Sequence, residues 1–115
     1  MDAVVIGPSS RKLGARLAAE MQIKAINTES RSFPDGESYI RIPEDVEQKD
    51  IVLLQSTDPP QDKHLVELFL VLDAAKDMNA KSVSVVVPYL AYARQDKRFR
   101  TGEAISSHTL SLIHI

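Results

Sequence analysis

Apolar residues along the chain fall into short runs separated by polar turns, and two periods alternate. Residues 4–6 are a tight apolar run followed by Gly7-Pro8-Ser9-Ser10, which reads as a buried strand leading into a turn and a helix N-cap. A helix is expected over residues 11–21, with Leu13, Leu17 and Met21 recurring every four residues on one face. Ala25 and Ile26 suggest a second short strand. Phe33-Pro34-Asp35-Gly36 carries turn residues, and residues 39–42 read as strand closed by Pro43. Residues 51–55 form a third apolar run, ended by Asp58-Pro59-Pro60.

A long helix is expected over residues 62–79. Leu65, Leu68, Phe69, Leu72 and Ala75 share one side, and Val66, Leu70 and Val71 widen it, which predicts a well-buried helix. Residues 82–87 are rich in β-branched side chains and predict a central parallel strand stopped by Pro88. Another helix is expected after Gly102. The alternation of strands and helices predicts an α/β fold, an open and mostly parallel sheet with helices on both faces. No internal repeat or low-complexity linker interrupts it.

Composition narrows the function classes. A length of 115 residues suits one domain, and 43% hydrophobic with 26% charged residues excludes disordered and collagen-like chains. The apolar runs are too short to cross a bilayer, and Met1-Asp2 does not open a secretory signal, so a cytoplasmic protein with no membrane partner is expected. The absence of cysteine excludes a disulfide framework, a thiolate zinc site and a cysteine nucleophile. A net charge of −2 argues against a general nucleic-acid partner.

The charge is nevertheless uneven. In Arg94-Gln95-Asp96-Lys97-Arg98-Phe99-Arg100, four of seven residues are cationic, and the stretch follows the strand expected to end at Val87. Ligands of open α/β sheets bind beyond the C-terminal strand ends, where arginine forks and a lysine point charge suit a polyanion such as a nucleoside triphosphate. Asp96 can hold a metal-bound water or orient an arginine; the alternative is a solvated charged loop. Phe33-Pro34-Asp35-Gly36-Glu37 offers different chemistry. Phe33 can stack on a base, Asp35 and Glu37 can accept from an exocyclic amine, and Gly36 lets the backbone turn and approach closely. The alternative is a turn entering an edge strand, with Phe33 in the core.

Taken as a pair, these stretches carry a resemblance. Phe33 to Glu37, read as FPDGE, and Pro88 to Ser106, read as PYLAYARQDKRFRTGEAIS, resemble ribose-phosphate pyrophosphokinases, close to archaeal members, over nearly the whole chain. The resemblance implies a phosphoribosyltransferase-like N-terminal domain of a two-domain enzyme. That enzyme transfers pyrophosphate from ATP to ribose 5-phosphate with Mg2+ and assembles as a dimer or hexamer. It implies that Phe33, Asp35, Gly36 and Glu37 bind adenine of ATP held by a neighbouring subunit. Arg94 and Gln95 would contact adenine and phosphates, with Asp96 and Lys97 close by. The family's metal-binding histidine, catalytic lysine and ribose 5-phosphate loop match nothing here, so no catalytic or metal residue is expected in this chain.

His64 does not match the metal position and is expected to be a surface or capping residue; His108 and His114 are assigned no role. Tyr89 and Tyr92 are expected to pack around the loop. A non-catalytic nucleotide-binding regulatory subunit is the alternative function. A receiver-like signalling domain is disfavoured because no acidic cluster follows the first strand. Residues 110–115 match the translation of a transposon end used in sequencing libraries. They are expected to be an adapter-derived scar on a truncated ATP-binding domain spanning residues 1–109.

Overall fold

The structure, a computed structural model, describes residues 1–94, 97, 98, 100–104 and 106. Strand β1 (Ala3–Ile6) is an all-apolar run buried on both faces, as an interior parallel strand requires. A 3-10 turn (Pro8–Ser10) leads into helix α1 (Arg11–Met21), which returns the chain to β2 (Lys24–Asn27). A polar strand β3 (Glu29–Ser32) and β4 (Ser38–Arg41) form an antiparallel hairpin of their own. Then follow β5 (Asp50–Leu54), helix α2 (Gln61–Asp77) and β6 (Ser82–Val86).

The main sheet has the order β2-β1-β5-β6, with each neighbouring pair parallel. Val5, Ile51 and Leu53 face α2 in a core completed by Leu68, Val71, Ile42 and Val46. Val4, Ile6 and Leu54 face Ala18 of α1 on the other side. The open parallel sheet with helices on both faces is therefore as the sequence predicts.

Three expectations are corrected. The buried face of α1 is Gly14 and Ala18, while Leu13 and Met21 are exposed and Leu17 is half-buried. The cause is a close approach: a Cβ on Gly14 would stand 2.6 Å from the Ile6 side chain, so the helix seats on its smallest residues. Helix α2 buries Leu65, Leu68, Val71 and Ala75, but Val66 and Leu70 point to solvent. Strand β6 is not central among the described residues; it pairs with β5 alone, and Val85 and Val86 are exposed. Its Ser-Val-Ser-Val alternation differs from the unbroken apolar runs of β1 and β5 that occupy the middle of the sheet. Of the helix expected after Gly102, only Glu103, Ala104 and Ser106 lie among the described residues.

Candidate functional site

The hairpin tip is built by backbone geometry. Phe33 N–H donates to the Glu37 carbonyl at 2.7 Å, and Gly36 N–H donates to the Phe33 carbonyl at 2.9 Å. Gly36 sits at φ +97, a conformation that favours glycine, with open space where a Cβ would be. The Asp35 carboxylate accepts from Glu37 N–H at 3.1 Å, the self-bonding typical of aspartate in turns. Phe33 is 41% exposed, so it is not a core residue; its ring stands at the tip beside two carboxylates. Behind it, the Arg31 guanidinium carbon lies 4.5 Å from the Tyr39 ring centre and 5.7 Å from that of Phe33.

Beyond β6 the chain runs over the N-terminal end of α2, and the two enclose a cleft of about 910 Å³. Lys63 and Arg94 bring positive charge to its lining, and Tyr89, Leu90 and Tyr92 bring aromatic and apolar surface. Thr57 fixes the far wall. Fully buried after β5, it donates its hydroxyl to the Tyr89 carbonyl at 2.7 Å and accepts from Ala91 N–H at 2.8 Å. Tyr92, in the left-handed region at φ 67, donates its hydroxyl to the Asp62 carboxylate. That hydrogen bond, with a smaller contribution from desolvation, pushes the phenol above its ordinary range. Tyr89 and Tyr92 therefore line the cleft and are exposed, where the sequence predicts packing. Farther along, Arg98 donates from Nε to the Glu103 carbonyl at 2.9 Å.

A third polar group lies beyond β1 and β5. Gln55, fully buried, accepts from Ser9 N–H at 3.2 Å and donates to the His64 carbonyl at 3.1 Å. Ser9 donates its hydroxyl to the Ser56 carbonyl at 2.6 Å, and the Ser10 hydroxyl accepts from Ser56 N–H at 2.9 Å. Ser10 thus stands at the N-cap of α1 but spends its side chain across the sheet and not on the helix. His64 Nδ1 lies 2.7 Å from the Asp58 carbonyl and 3.3 Å from its carboxylate, so the ring ties the loop after β5 to α2 and is not a surface group. Glu67, one turn on, is buried with Oε1 lacking a hydrogen-bond partner. Burial pushes its carboxyl up, against the opposing pull of His64, Lys63, Arg11 and the Gln55 amide.

Of the residues the sequence selects, Phe33, Asp35, Gly36 and Glu37 share one turn, and Arg94 lines the cleft. The turn residues do not line that cleft. Lys97 is exposed, while Gln95 and Asp96, with His108 and His114, lie outside the described residues. Thr57, Asp62 and Arg31 were not legible as contributors. Their signals, such as a threonine three residues past a strand and an i, i+2 pairing with Phe33, are too common to select on their own.

A family model described as the N-terminal domain of ribose phosphate pyrophosphokinase matches residues 3–113. A ribose-phosphate pyrophosphokinase of Saccharolobus solfataricus is 45% identical over 112 residues, covering 97% of this chain and 38% of the relative. A solved phosphoribosylpyrophosphate synthetase from Mycobacterium smegmatis superposes with a TM-score of 0.91 at 30% identity, covering 98% of this chain and 38% of that one. A purine phosphoribosyltransferase from Pyrococcus horikoshii, at a TM-score of 0.55 and 17% identity, shares the fold over 75% of this chain and 58% of its own. The chain thus spans well under half the length of the pyrophosphokinases it matches. Its two motifs, its parallel sheet and these similarities agree: the chain belongs to the family of N-terminal domains of ribose phosphate pyrophosphokinase.

Proposed function

We propose that this chain is the nucleotide-binding part of a ribose-phosphate diphosphokinase. The enzyme would transfer the pyrophosphoryl group of ATP to the C1 hydroxyl of ribose 5-phosphate, forming phosphoribosyl pyrophosphate for nucleotide biosynthesis and releasing AMP. The observation that carries this reading is the pair of features at two loops. One is an exposed aromatic ring beside two carboxylates at the hairpin tip, and the other is a cationic segment beyond β6. Phe33 stacks on adenine, Asp35 and Glu37 accept from its exocyclic amine, and Gly36 keeps the turn open. Arg94 and Gln95 contact adenine and the phosphates, with Asp96 and Lys97 close by.

Chemistry of this kind asks the protein mainly for positioning and charge stabilisation, which this chain supplies at the nucleotide end. We assign it no catalytic residue. Among the described residues no group of three His, Asp or Glu side chains is placed to hold a metal. The hairpin tip does not line the Arg94 cleft, which supports an ATP site completed between subunits of a homo-oligomer, a dimer or a hexamer. No described helix is long and apolar enough to cross a membrane. We place the protein in the cytoplasm, acting on small molecules and not on nucleic acid.

Arg94→Ala in the intact enzyme tests the reading. Its kcat/KM for ATP is expected to fall by about 2–4 kcal/mol of transition-state stabilisation, as for loss of one charge-stabilising donor. Steady-state kinetics at saturating ribose 5-phosphate measure it, and near-normal values remove Arg94 from the site.

A further inference from the structure

We infer that Arg31 and Tyr39 are positioning residues for the nucleotide: they hold the Phe33 ring in the orientation in which it meets a base. The inference rests on the proposed role of the hairpin tip and deepens it.

The register pairs Arg31 directly with Tyr39 across the hairpin, and Phe33 follows Arg31 by two residues, so all three side chains share one face. Phe33 and Tyr39 meet edge to face, with ring centres 6.0 Å apart and planes at 82°. The Arg31 guanidinium stands over both rings, at 4.5 and 5.7 Å, inside the range at which a cation is attracted to an aromatic face. Arg31 and Phe33 are exposed, and Tyr39 is half-buried. The hairpin stands outside the main sheet, and its tip is closed by the Phe33 N–H to Glu37 carbonyl bond.

An exposed phenylalanine at a turn is ordinarily free to change rotamer. Ordering it at the moment of binding weakens the complex, whereas a ring already held lets the ligand bind without that loss. Arg31 and Tyr39 hold this ring from behind and from the side, Tyr39 with its ring and Arg31 with a planar guanidinium that lysine lacks. The ring touches the base, far along the nucleotide from the phosphates that react. Losing its support therefore weakens ATP binding uniformly and leaves the chemical step alone.

The test uses the intact enzyme with ATP, reading KM and kcat separately, together with the Kd of ATP by calorimetry. Arg31→Met and Tyr39→Leu are each expected to raise Kd and KM for ATP about three- to five-fold, the size of one exposed cation–π contact, with kcat unchanged. Tyr39→Phe, which keeps the ring, is expected to bind like the parent, and Arg31→Lys is expected to recover little. Phe33→Ala should raise Kd further, and adding Arg31→Met to it should change nothing more. If Phe33→Ala weakens ATP but Arg31→Met and Tyr39→Leu do not, or if the double variant shows additive losses, the positioning role is overturned while the tip remains a nucleotide site. If Arg31→Lys restores full affinity, long-range charge and not ring support is the cause, and the inference fails. If Phe33→Ala leaves Kd unchanged, the proposed role of the tip fails first.

Discussion

Beyond β1 and β5 the space is filled by the chain's own side chains, with Gln55 at the centre and Ser9 and Ser10 closing over it. Beyond β6, one strand over, the chain leaves a cleft whose charged lining is Lys63, Arg94 and Asp62. Both are C-terminal ends of parallel strands, the places where open α/β sheets take ligands. The difference shows that sheet topology nominates a region and side chains select within it. At the filled end Gln55 serves Ser9 and His64, and the serine hydroxyls serve Ser56. At the cleft the backbone is anchored by Thr57 from below, which leaves side chains such as Arg94 at the surface.

The contrast breaks most severely at Gly7. A Cβ there would stand 2.1 Å from Gln55 Oε1 and 2.9 Å from the Gln55 Cβ, which no rotamer change relieves. Gly7→Ala is expected to destabilise the intact enzyme by about 3 kcal/mol, the upper end for overpacking, in denaturant titration. Thr57→Val tests the link between the two ends. It keeps shape but removes the donor to Tyr89 and the acceptor for Ala91 N–H, both buried or partly so. A loss of about 2 kcal/mol is expected, with a drop in ATP affinity, because the wall of the cleft loses its anchor.

Glu67 gives the smallest effect and a pH signature. Burial holds its folded carboxyl above the ordinary 4.5, so the folded state binds its proton more tightly than the unfolded chain does. The contribution is present below about 4.5, the unfolded value, and is lost as pH rises through the raised folded value. Glu67→Gln is therefore expected to raise the thermal midpoint at pH 7.5, with the gain shrinking toward pH 4. A gain that is independent of pH would mean that the carboxyl is not the cause.

Much of this was legible in the sequence because it rests on runs and short motifs. The unbroken apolar runs of β1 and β5 mark the middle of the sheet, and the two motifs mark the loops. What escaped is tertiary. The i, i+4 leucine and methionine spacing on α1 names a face, but Gly14 and Ala18 decide which face touches the sheet. Strand β3, Glu-Ser-Arg-Ser, has no apolar residue to announce it and exists because β4 pairs with it. The β-branched content of β6 suggested the centre of the sheet, and among the described residues it pairs with β5 alone. At the cleft, Thr57 carries no motif; its importance comes from two backbone groups more than thirty residues away that reach it only in the folded chain.

The glycine seat of α1 has a dynamic consequence. A helix that reaches the sheet through Gly14 and Ala18 contributes little apolar area, whereas α2 buries Leu65, Leu68, Val71 and Ala75. Helix α1 is held by fit more than by driving force, and local opening is cheapest where few apolar contacts are lost. Its backbone amides are therefore expected to take up deuterium before those of α2 and β5, measured by hydrogen exchange on the native enzyme. The first cooperative unit to loosen would then be the helix that leads out of β1, not the one that carries the wall of the cleft.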